Sequence, residues 1–261
     1  MRSFSSYVGS HVASHVGRLS RAAPSGGLAV ACALAAAALG CSSQSSNDSG
    51  DAGMGTAPPD GQAGSVDLNP YGVPYPSNNI GTKQRGLGGP IAGDQIQDYK
   101  FLGYPGGDLS KPLQTISLAD FYDPEGKLGY KLLDLGVAAG WCVPCNQETE
   151  AIVPLVPTLA KQGVVFAQAL DEGTSEGTGA DQADLVAWIT EHKSNFDEML
   201  DPENGNLGVF FDAAEVPWDA IIDTRTMEIL QDGTGYSGNV QGDLSPWLTW
   251  VAQNPPSYPT P

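Results

Sequence analysis

The chain has 261 residues, of which 41% are hydrophobic and 16% charged, a composition typical of a globular domain with extensions. Its formal net charge is -18, and its first forty residues hold three arginines and no acid, so a chain without them would be more acidic still. Such a surface repels phosphate groups, which argues against nucleic-acid binding. The acidity itself is attributed to solubility.

The first forty residues have the order of a secretory signal. Arg18 and Arg21 precede an apolar run from Leu28 to Leu39, and small residues lead to Cys41. The run is shorter than the roughly 20 residues that a spanning helix needs. The ending ALGC resembles a bacterial lipobox, which implies a lipidated Cys41 and an extracytoplasmic protein held on a bacterial membrane, in the periplasm or at the cell surface. An earlier cysteine, Cys32, fits this pattern less well, and an ordinary cleaved signal is the alternative.

Composition divides the rest of the chain into three parts. Residues 41–75 are rich in Ser, Gly, Asp and Pro, and are predicted to form a flexible tether. The folded domain is predicted at 76–254, and the proline-rich end, 255–261, is predicted to be a disordered tail. With Cys32 removed and Cys41 lipidated, the folded protein keeps two cysteines, which can pair with each other or with a partner.

Strand and helix signals alternate along the predicted domain. From residue 98 a strand, a Gly-rich turn and a second strand near Gln114–Ile116 predict a hairpin, and Ser117 starts a short helix. Apolar runs at 130–138 and 164–170 predict buried strands. The helix between these runs should be kinked by its prolines, Pro154 and Pro157, and ended by Gly163.

The second half of the domain continues the alternation. Residues 183–196 predict an amphipathic helix, on whose apolar stripe His192 is interpreted as a half-buried structural residue. A short helix and a loop lead to two strands joined by a tight turn. A last helix is predicted to be capped by Ser245, with Pro246 at its first position. Together these elements predict an α/β fold, a central mixed sheet flanked by helices.

The strand at 130–138 ends at the stretch GWCVPC, residues 140–145. In a strand–helix junction of this kind, the first cysteine lies at the helix N-terminus, where free N–H groups and the helix dipole stabilise a thiolate. Such placement lowers a thiol pKa from about 8.5 to roughly 7 or below. The spacing therefore predicts Cys142 as the nucleophile and Cys145 as the resolving thiol.

GWCVPC at this junction resembles the active site of the thioredoxin superfamily, and its surroundings resemble the extracytoplasmic TlpA-like branch over about residues 90–253. The resemblance implies a thioredoxin-like fold with an N-terminal hairpin extension and an inserted helix near 183–197. It also implies a redox-active disulfide between Cys142 and Cys145. The resulting enzyme is a thiol–disulfide oxidoreductase that needs no cofactor. Its partners are disulfide- or thiol-bearing client proteins and a redox partner protein.

The same resemblance assigns the groups around the disulfide. In EVPWDAIID, Pro217 is expected to be a cis-proline packed against the cysteines, with Val216 offering its backbone to a bound peptide. Trp141 flanks the site as a further substrate contact. Glu148 matches a frequent glutamate of the branch and is a candidate acid or base, with a solvated surface position as the equal alternative.

The chain also departs from the family pattern. Many members carry a buried acid six residues before the first cysteine, where this chain has Gly136, and Asp134 on the same strand face is a candidate substitute. Strongly oxidising relatives have a histidine between the two cysteines. Its absence here favours a reductase-like direction, although Val216 before the proline leans slightly the other way.

Other functions of two cysteines fit less well. A Cu(I)-carrying metallochaperone is the alternative function, since thiolates suit that ion. No zinc site is predicted, because zinc needs about four ligands and one histidine, His192, remains after the signal. Thiol peroxidases of this fold use a P-x-x-x-T-x-x-C pattern that the sequence lacks. A purely structural disulfide would close too short a loop to stabilise much.

Overall fold

Seven strands form one mixed sheet in the computed structural model, which describes residues 67–76, 92–212 and 215–256. The predicted signal peptide and the lipidation site Cys41 lie outside these residues. The sheet has the order β2-β1-β5-β4-β3-β6-β7. Its strands are β1 (Lys100–Tyr104), β2 (Gln114–Ser117), β3 (Leu132–Ala139), β4 (Val164–Glu172), β5 (Asp197–Leu200), β6 (Trp218–Asp223) and β7 (Glu228–Thr234).

In the part of the chain that the structure describes, four α-helices accompany the sheet: α1 (Val143–Ile152), α2 (Val156–Leu159), α3 (Gln182–His192) and α4 (Val240–Gln253). Short 3-10 helices occur at Pro105–Gly107, Leu118–Phe121, Ala160–Gln162, Pro202–Asn204 and Leu207–Val209. Among the described residues, none of the helices has the length and apolar character needed to cross a membrane.

The strand order and connections define a thioredoxin-like fold, as expected. β3 and β4 are parallel neighbours and α1 lies on the crossover between them, whereas β6 pairs antiparallel with both β3 and β7. Two additions extend this core. The β1–β2 hairpin supplies the outer edge of the sheet, and α3 leads from β4 to β5, which lies parallel to β4.

The alternation of side chains along β3 separates the two faces of the sheet. One face carries a large apolar cluster that includes Leu133, Leu135 and Val137, together with Tyr75 and Ile96 from the segments before β1. Leu132 and Ala138 point to the other face, which α1, α3 and α4 cover. Burying each large aliphatic side chain contributes about 1.5–3 kcal/mol, so this central strand is a main source of stability.

The prolines after the second cysteine break the helix rather than kink it. α1 ends at Ile152, two residues before Pro154, and α2 begins at Val156 with Pro157 in its first turn. Proline lacks the N–H that an interior helical position needs, so a new start is the lower-energy solution. Gly163 ends the segment at φ 93°, a conformation that glycine adopts without a steric cost.

The predicted start of the last helix was also wrong. The last helix begins at Val240, and its cap is Asn239, whose Oδ1 accepts from the Gly242 N–H at 3.1 Å. Ser245 and Pro246 therefore lie inside α4, where the Ser245 hydroxyl donates to the Gln241 carbonyl at 2.6 Å. The sequence prediction also missed β5 entirely.

The predicted tether ends earlier than residue 75. Tyr75 is buried and its hydroxyl donates to the Ile96 carbonyl at 2.8 Å, and the Asn69 side-chain amide donates to the Tyr122 carbonyl at 2.9 Å. Residues 67–75 thus belong to the folded domain, because their buried polar groups are paired with it. Residues 41–66 and 257–261 of the predicted tether and tail lie outside the described part of the chain.

Candidate active site

The two cysteines of GWCVPC form a disulfide at the junction of β3 and α1, with an S–S distance of 2.09 Å. Cys142 is the N-cap of α1 and Cys145 lies in its first turn. Both are buried against Ala138, Ala139 and residues of α3. Val143, between them, is 64% exposed, so a partner surface can reach this end of the helix.

The helix N-terminus supplies the groups that stabilise a thiolate at Cys142. The Cys145 N–H donates to Cys142 Sγ, with an N–S distance of 3.1 Å. This hydrogen bond and the positive end of the helix dipole both favour a negative charge on the sulfur. Asn146 holds the turn in place, since its side-chain amide donates to the Cys142 carbonyl at 2.7 Å. The Cys145 N–H and the helix dipole would both favour the thiolate form of Cys142 in the reduced protein.

The loop before β6 lies beside Cys142. The Val216–Pro217 peptide bond is cis, and the Val216 carbonyl oxygen lies 3.5 Å from Cys142 Sγ. Pro217 is buried, whereas Val216 is partly exposed. The backbone of Val216 thus borders the sulfur that would meet a client disulfide.

Gly140 and Trp141 fix the entry to the pair. A Cβ at Gly140 would lie 2.9 Å from the backbone carbonyl of Gly173, so position 140 accepts no larger residue without a shift of that loop. The Trp141 indole N–H donates to the Glu172 carboxylate at the end of β4. The indole ring is half-buried next to the disulfide.

Glu148 is buried, not a solvated surface residue. It lies one helical turn after Cys145, on the same face of α1, and it lines a cavity of about 170 Å³ between that helix, the sheet and α4. Burial, with a smaller contribution from the negative charge of Asp134, raises the pKa of Glu148 to about 8. An acid with this pKa can exchange protons with a thiol near neutral pH.

Asp134 lines the same cavity from β3, and burial together with the charges of Asp219 and Asp243 raises its pKa well above the ordinary value. Along β3 it is separated from the cysteines by Gly136 and Ala138. The structure thus brings Asp134 and Glu148 into one acidic cavity, with Glu148 nearer to the cysteines along the chain.

Sequence reasoning missed Asp219. In the β3–β6 register it lies opposite Gly136, and a Cβ on that glycine would be 2.9 Å from Asp219 Oδ1. The carboxyl of Asp219 therefore occupies the room that the absent side chain at 136 leaves. The available signal was the polar residue in the apolar run WDAIID, on the strand face opposite to Trp218 and Ala220.

A buried polar network lies on the β4 side of Gly136. The Thr149 hydroxyl is 2.9 Å from Gln168 Oε1, which also accepts from the Trp188 indole at 3.2 Å. His192 is buried as a structural residue, its ring 4.2 Å from that of Trp188, and burial lowers its pKa. Within the ranges that the structure describes, no group of three or more His, Cys, Asp or Glu side chains is arranged to hold a metal ion.

No family model and no curated protein matches the chain. Among solved structures, it is similar to a putative thiol:disulfide interchange protein DsbE from Chlorobium tepidum, at 17% identity and TM-score 0.45, over 62% of this chain and 96% of that one. The thioredoxin domain of a thiol-disulfide oxidoreductase from Bacteroides vulgatus gives 13% identity and TM-score 0.46, over 60% and 97%. AhpC from Enterococcus faecalis gives 16% and 0.48, over 65% and 99%. The thioredoxin-like fold is assigned on the strand order above, and the function is inferred from the site.

Proposed function

We propose that the protein is a thiol–disulfide oxidoreductase that exchanges disulfides with extracytoplasmic client proteins, preferentially as a reductase. One observation carries the proposal. Cys142 caps α1 with its sulfur 3.1 Å from the Cys145 backbone nitrogen and 3.5 Å from the Val216 carbonyl oxygen. Thiolate stabilisation, a resolving cysteine and a free backbone edge thus coincide at one sulfur, and the chemistry needs no cofactor.

The reaction proceeds in two displacements. The Cys142 thiolate attacks one sulfur of the client disulfide, forms a mixed disulfide and releases the first client thiolate. The Cys145 thiol loses its proton, and its thiolate attacks Cys142 Sγ. This second displacement forms the Cys142–Cys145 disulfide and releases the second client thiolate. A redox partner protein returns the pair to the dithiol, and Glu148 serves as the acid or base for Cys145.

The client is bound at the exposed surface around the disulfide. The backbone of Val216, held by Pro217, pairs with an extended client segment, and Trp141 and Val143 contact its side chains. Main-chain pairing gives affinity without a strict sequence requirement, so we expect several client proteins rather than one.

The proposed roles of the two cysteines are tested by trapping. The Cys145→Ser protein, incubated with a peptide that contains a disulfide, should accumulate a mixed disulfide, and mass spectrometry of proteolytic fragments should place the adduct on Cys142. Cys142→Ser is the matched control and should trap nothing. Capture by Cys142→Ser alone would reverse the two roles, and capture by neither would reject the proposed function.

The alternative function, Cu(I) transport by the same two thiols, predicts a different result. Anaerobic titration of the reduced protein with Cu(I) would then give a tight one-to-one complex, and disulfide exchange would be absent. Exchange activity without a stoichiometric copper complex supports the oxidoreductase.

We further propose that the domain is held at a membrane by a lipid on Cys41, which the order of basic, apolar and small residues before that cysteine supports. Mass spectrometry of the mature N-terminus tests this proposal. A first residue other than Cys41, or an unmodified Cys41, contradicts it.

A further inference from the structure

Position 136 has no side chain, and the carboxyl of Asp219 fills the space above it. Gly136 lies between Ala138, which contacts the cysteines, and Asp134, which lines the cavity; all three face the same side of β3. Successive residues on one strand face are about 7 Å apart. The Asp219 carboxyl reaches this face from β6 at the level of Gly136. It therefore lies between Ala138, which contacts the cysteines, and Asp134.

The Asp219 and Glu148 carboxyls line the same cavity, and a side-chain hydrogen bond between them lowers the pKa of Glu148 and raises that of Asp219. Two carboxyl groups can form this bond only when one of them holds a proton. We propose that Asp219 is a positioning residue for the second displacement: it holds a proton, donates it in a hydrogen bond to Glu148, and thereby keeps Glu148 able to accept the proton of the Cys145 thiol. This inference rests on the proposed oxidoreductase function.

The electrostatics of the cavity agree with this division of roles. Burial and the charge of Glu148 raise the pKa of Asp219 well above the ordinary value, which favours its protonated form. Burial raises the pKa of Glu148 to about 8, and the hydrogen bond from Asp219 limits that rise. A base of this strength is matched to a thiol with an ordinary pKa of about 8.5.

Besides the cysteines, the titratable groups of the described residues that face Glu148 are three carboxyls and a phenol. Asp134 faces it from β3, Asp219 from β6, Asp243 from α4, and Tyr236 from the loop between β7 and α4. The described lining of the cavity holds no lysine or arginine. The hydrogen bond from Asp219 is thus the interaction that favours the carboxylate of Glu148, while its charged neighbours disfavour it.

In this proposal the proton of the Cys145 thiol passes to Glu148 and then to solvent. The Cys145 thiol gives its proton to the Glu148 carboxylate, and the resulting thiolate attacks Cys142 Sγ and expels the second client thiolate. Glu148 returns the proton to solvent through the cavity, which is open at Ser237 and Asp243. Asp219 keeps its own proton throughout.

Single-turnover kinetics of the full chain separate the two displacements. The reduced protein is mixed with the aromatic disulfide dithiobis(nitrobenzoate), which releases one coloured thiolate when Cys142 attacks and a second when Cys145 resolves the adduct. The rate of each phase is measured from pH 5 to pH 9. In the wild-type protein, the second phase should rise with pH to a midpoint near the pKa of Glu148, because only its carboxylate accepts the proton.

The variants of Asp219 make the proposal falsifiable. In Asp219→Ala, Glu148 loses its donor, so the midpoint of the second phase should move up by about one pH unit and the rate at pH 7 should fall about tenfold. Asp219→Asn keeps an amide donor and should retain the wild-type profile. Asp243→Asn, which removes a negative charge, should move the midpoint slightly downward.

A structural loss would not give this pattern, and two outcomes overturn the proposal. One is an Asp219→Ala profile that superimposes on wild type, and the other is an Asp219→Asn profile that matches Asp219→Ala. If Asp219→Ala fails to fold, Gly136→Ala supplies the same test, because the new methyl group displaces the Asp219 carboxyl and should shift the midpoint upward. Absence of the first, Cys142-dependent phase in wild type would reject the proposed function itself and is therefore distinguishable.

Discussion

Glu198, on β5, offers a test of how burial controls the pH dependence of stability. Its side chain is fully buried between the sheet and α3, with Ser194 and Trp188 as polar neighbours, and burial raises the pKa of its carboxyl to about 8. The ordinary value is 4.5. Between these two pH values the folded protein holds a proton that the unfolded chain has released. Stability must therefore fall as the pH rises through this window.

The size of the effect follows from the two pKa values. One pKa unit corresponds to about 1.4 kcal/mol, so the free energy of unfolding should fall by roughly 3–4 kcal/mol from this group alone between about pH 5 and pH 8. Glutamine has almost the shape of the protonated acid and does not titrate. Glu198→Gln should thus resemble the wild type at pH 5 and be more stable than it at pH 8.

Urea unfolding of the full chain, followed by tryptophan fluorescence at several pH values, measures the difference. Glu176→Gln, in an exposed loop, is the matched control and should reproduce the wild-type slope. The reasoning is refuted if Glu198→Gln loses stability with rising pH as steeply as the wild type. Such a result would mean that the carboxyl ionises inside the fold without a cost.

Three further predictions concern the edges of the domain and the entry to the site. Tyr75→Ala should lower the free energy of unfolding by about 3–5 kcal/mol in urea titrations. Tyr75→Phe, which loses the hydrogen bond to Ile96, should lower it by about 1 kcal/mol. If Tyr75→Ala has no effect, the tether extends to residue 75 as the sequence predicts. Arg225→Ala should cost about 3–5 kcal/mol by the same measurement, because it leaves the buried Asp223 carboxylate without the two guanidinium hydrogen bonds; a cost below 1 kcal/mol would contradict this account. Gly140→Ala should slow the first, Cys142-dependent phase of the aromatic-disulfide reaction at least about tenfold, because its Cβ displaces the loop at Gly173. Gly233→Ala is the control and should react like wild type, because its Cβ would meet no atom.

The elements that the sequence predicts well are those in which pattern and local chemistry agree. β3 is an apolar run broken only by Asp134 that ends just before Gly140, and Cys142 caps α1 as its position before Pro144 suggests. Such segments depend on nearby residues, so one sequence suffices to place them. The cis bond before Pro217 was expected from the family resemblance, since propensity alone does not select it.

The features that the sequence did not reveal depend on residues far apart in the chain. β5, Asp-Glu-Met-Leu, has two acids in four residues and lacks the alternation of a strand; it is a strand because β1 and β4 pair with it on both sides. Tyr75 has mostly polar neighbours in sequence, yet it packs against Tyr122. Ser245-Pro246 has the form of a helix start, but Asn239 caps the chain earlier.

Asp219 was missed for a similar reason. Its partners, Gly136 and Glu148, are more than seventy residues earlier in the chain, and only the register between β3 and β6 brings the three positions together. Gly136 alone indicated a missing acid, and Asp134 was the nearest carboxyl in sequence. In the structure, the carboxyl that fills the space at Gly136 belongs to Asp219 on the neighbouring strand β6.

The short interval between Pro217 and Asp219 has a consequence for how this protein can change over time. Pro217 ends the loop beside Cys142, and Asp219, the proposed positioning residue, lies two residues later on β6. Because side chains alternate along β6, an insertion or deletion of one residue between them would turn Asp219 to the opposite face of the sheet. Length changes that leave Asp219 in place are therefore confined to the loop before Val216, and the segment Pro217–Asp219 can vary in side chains only.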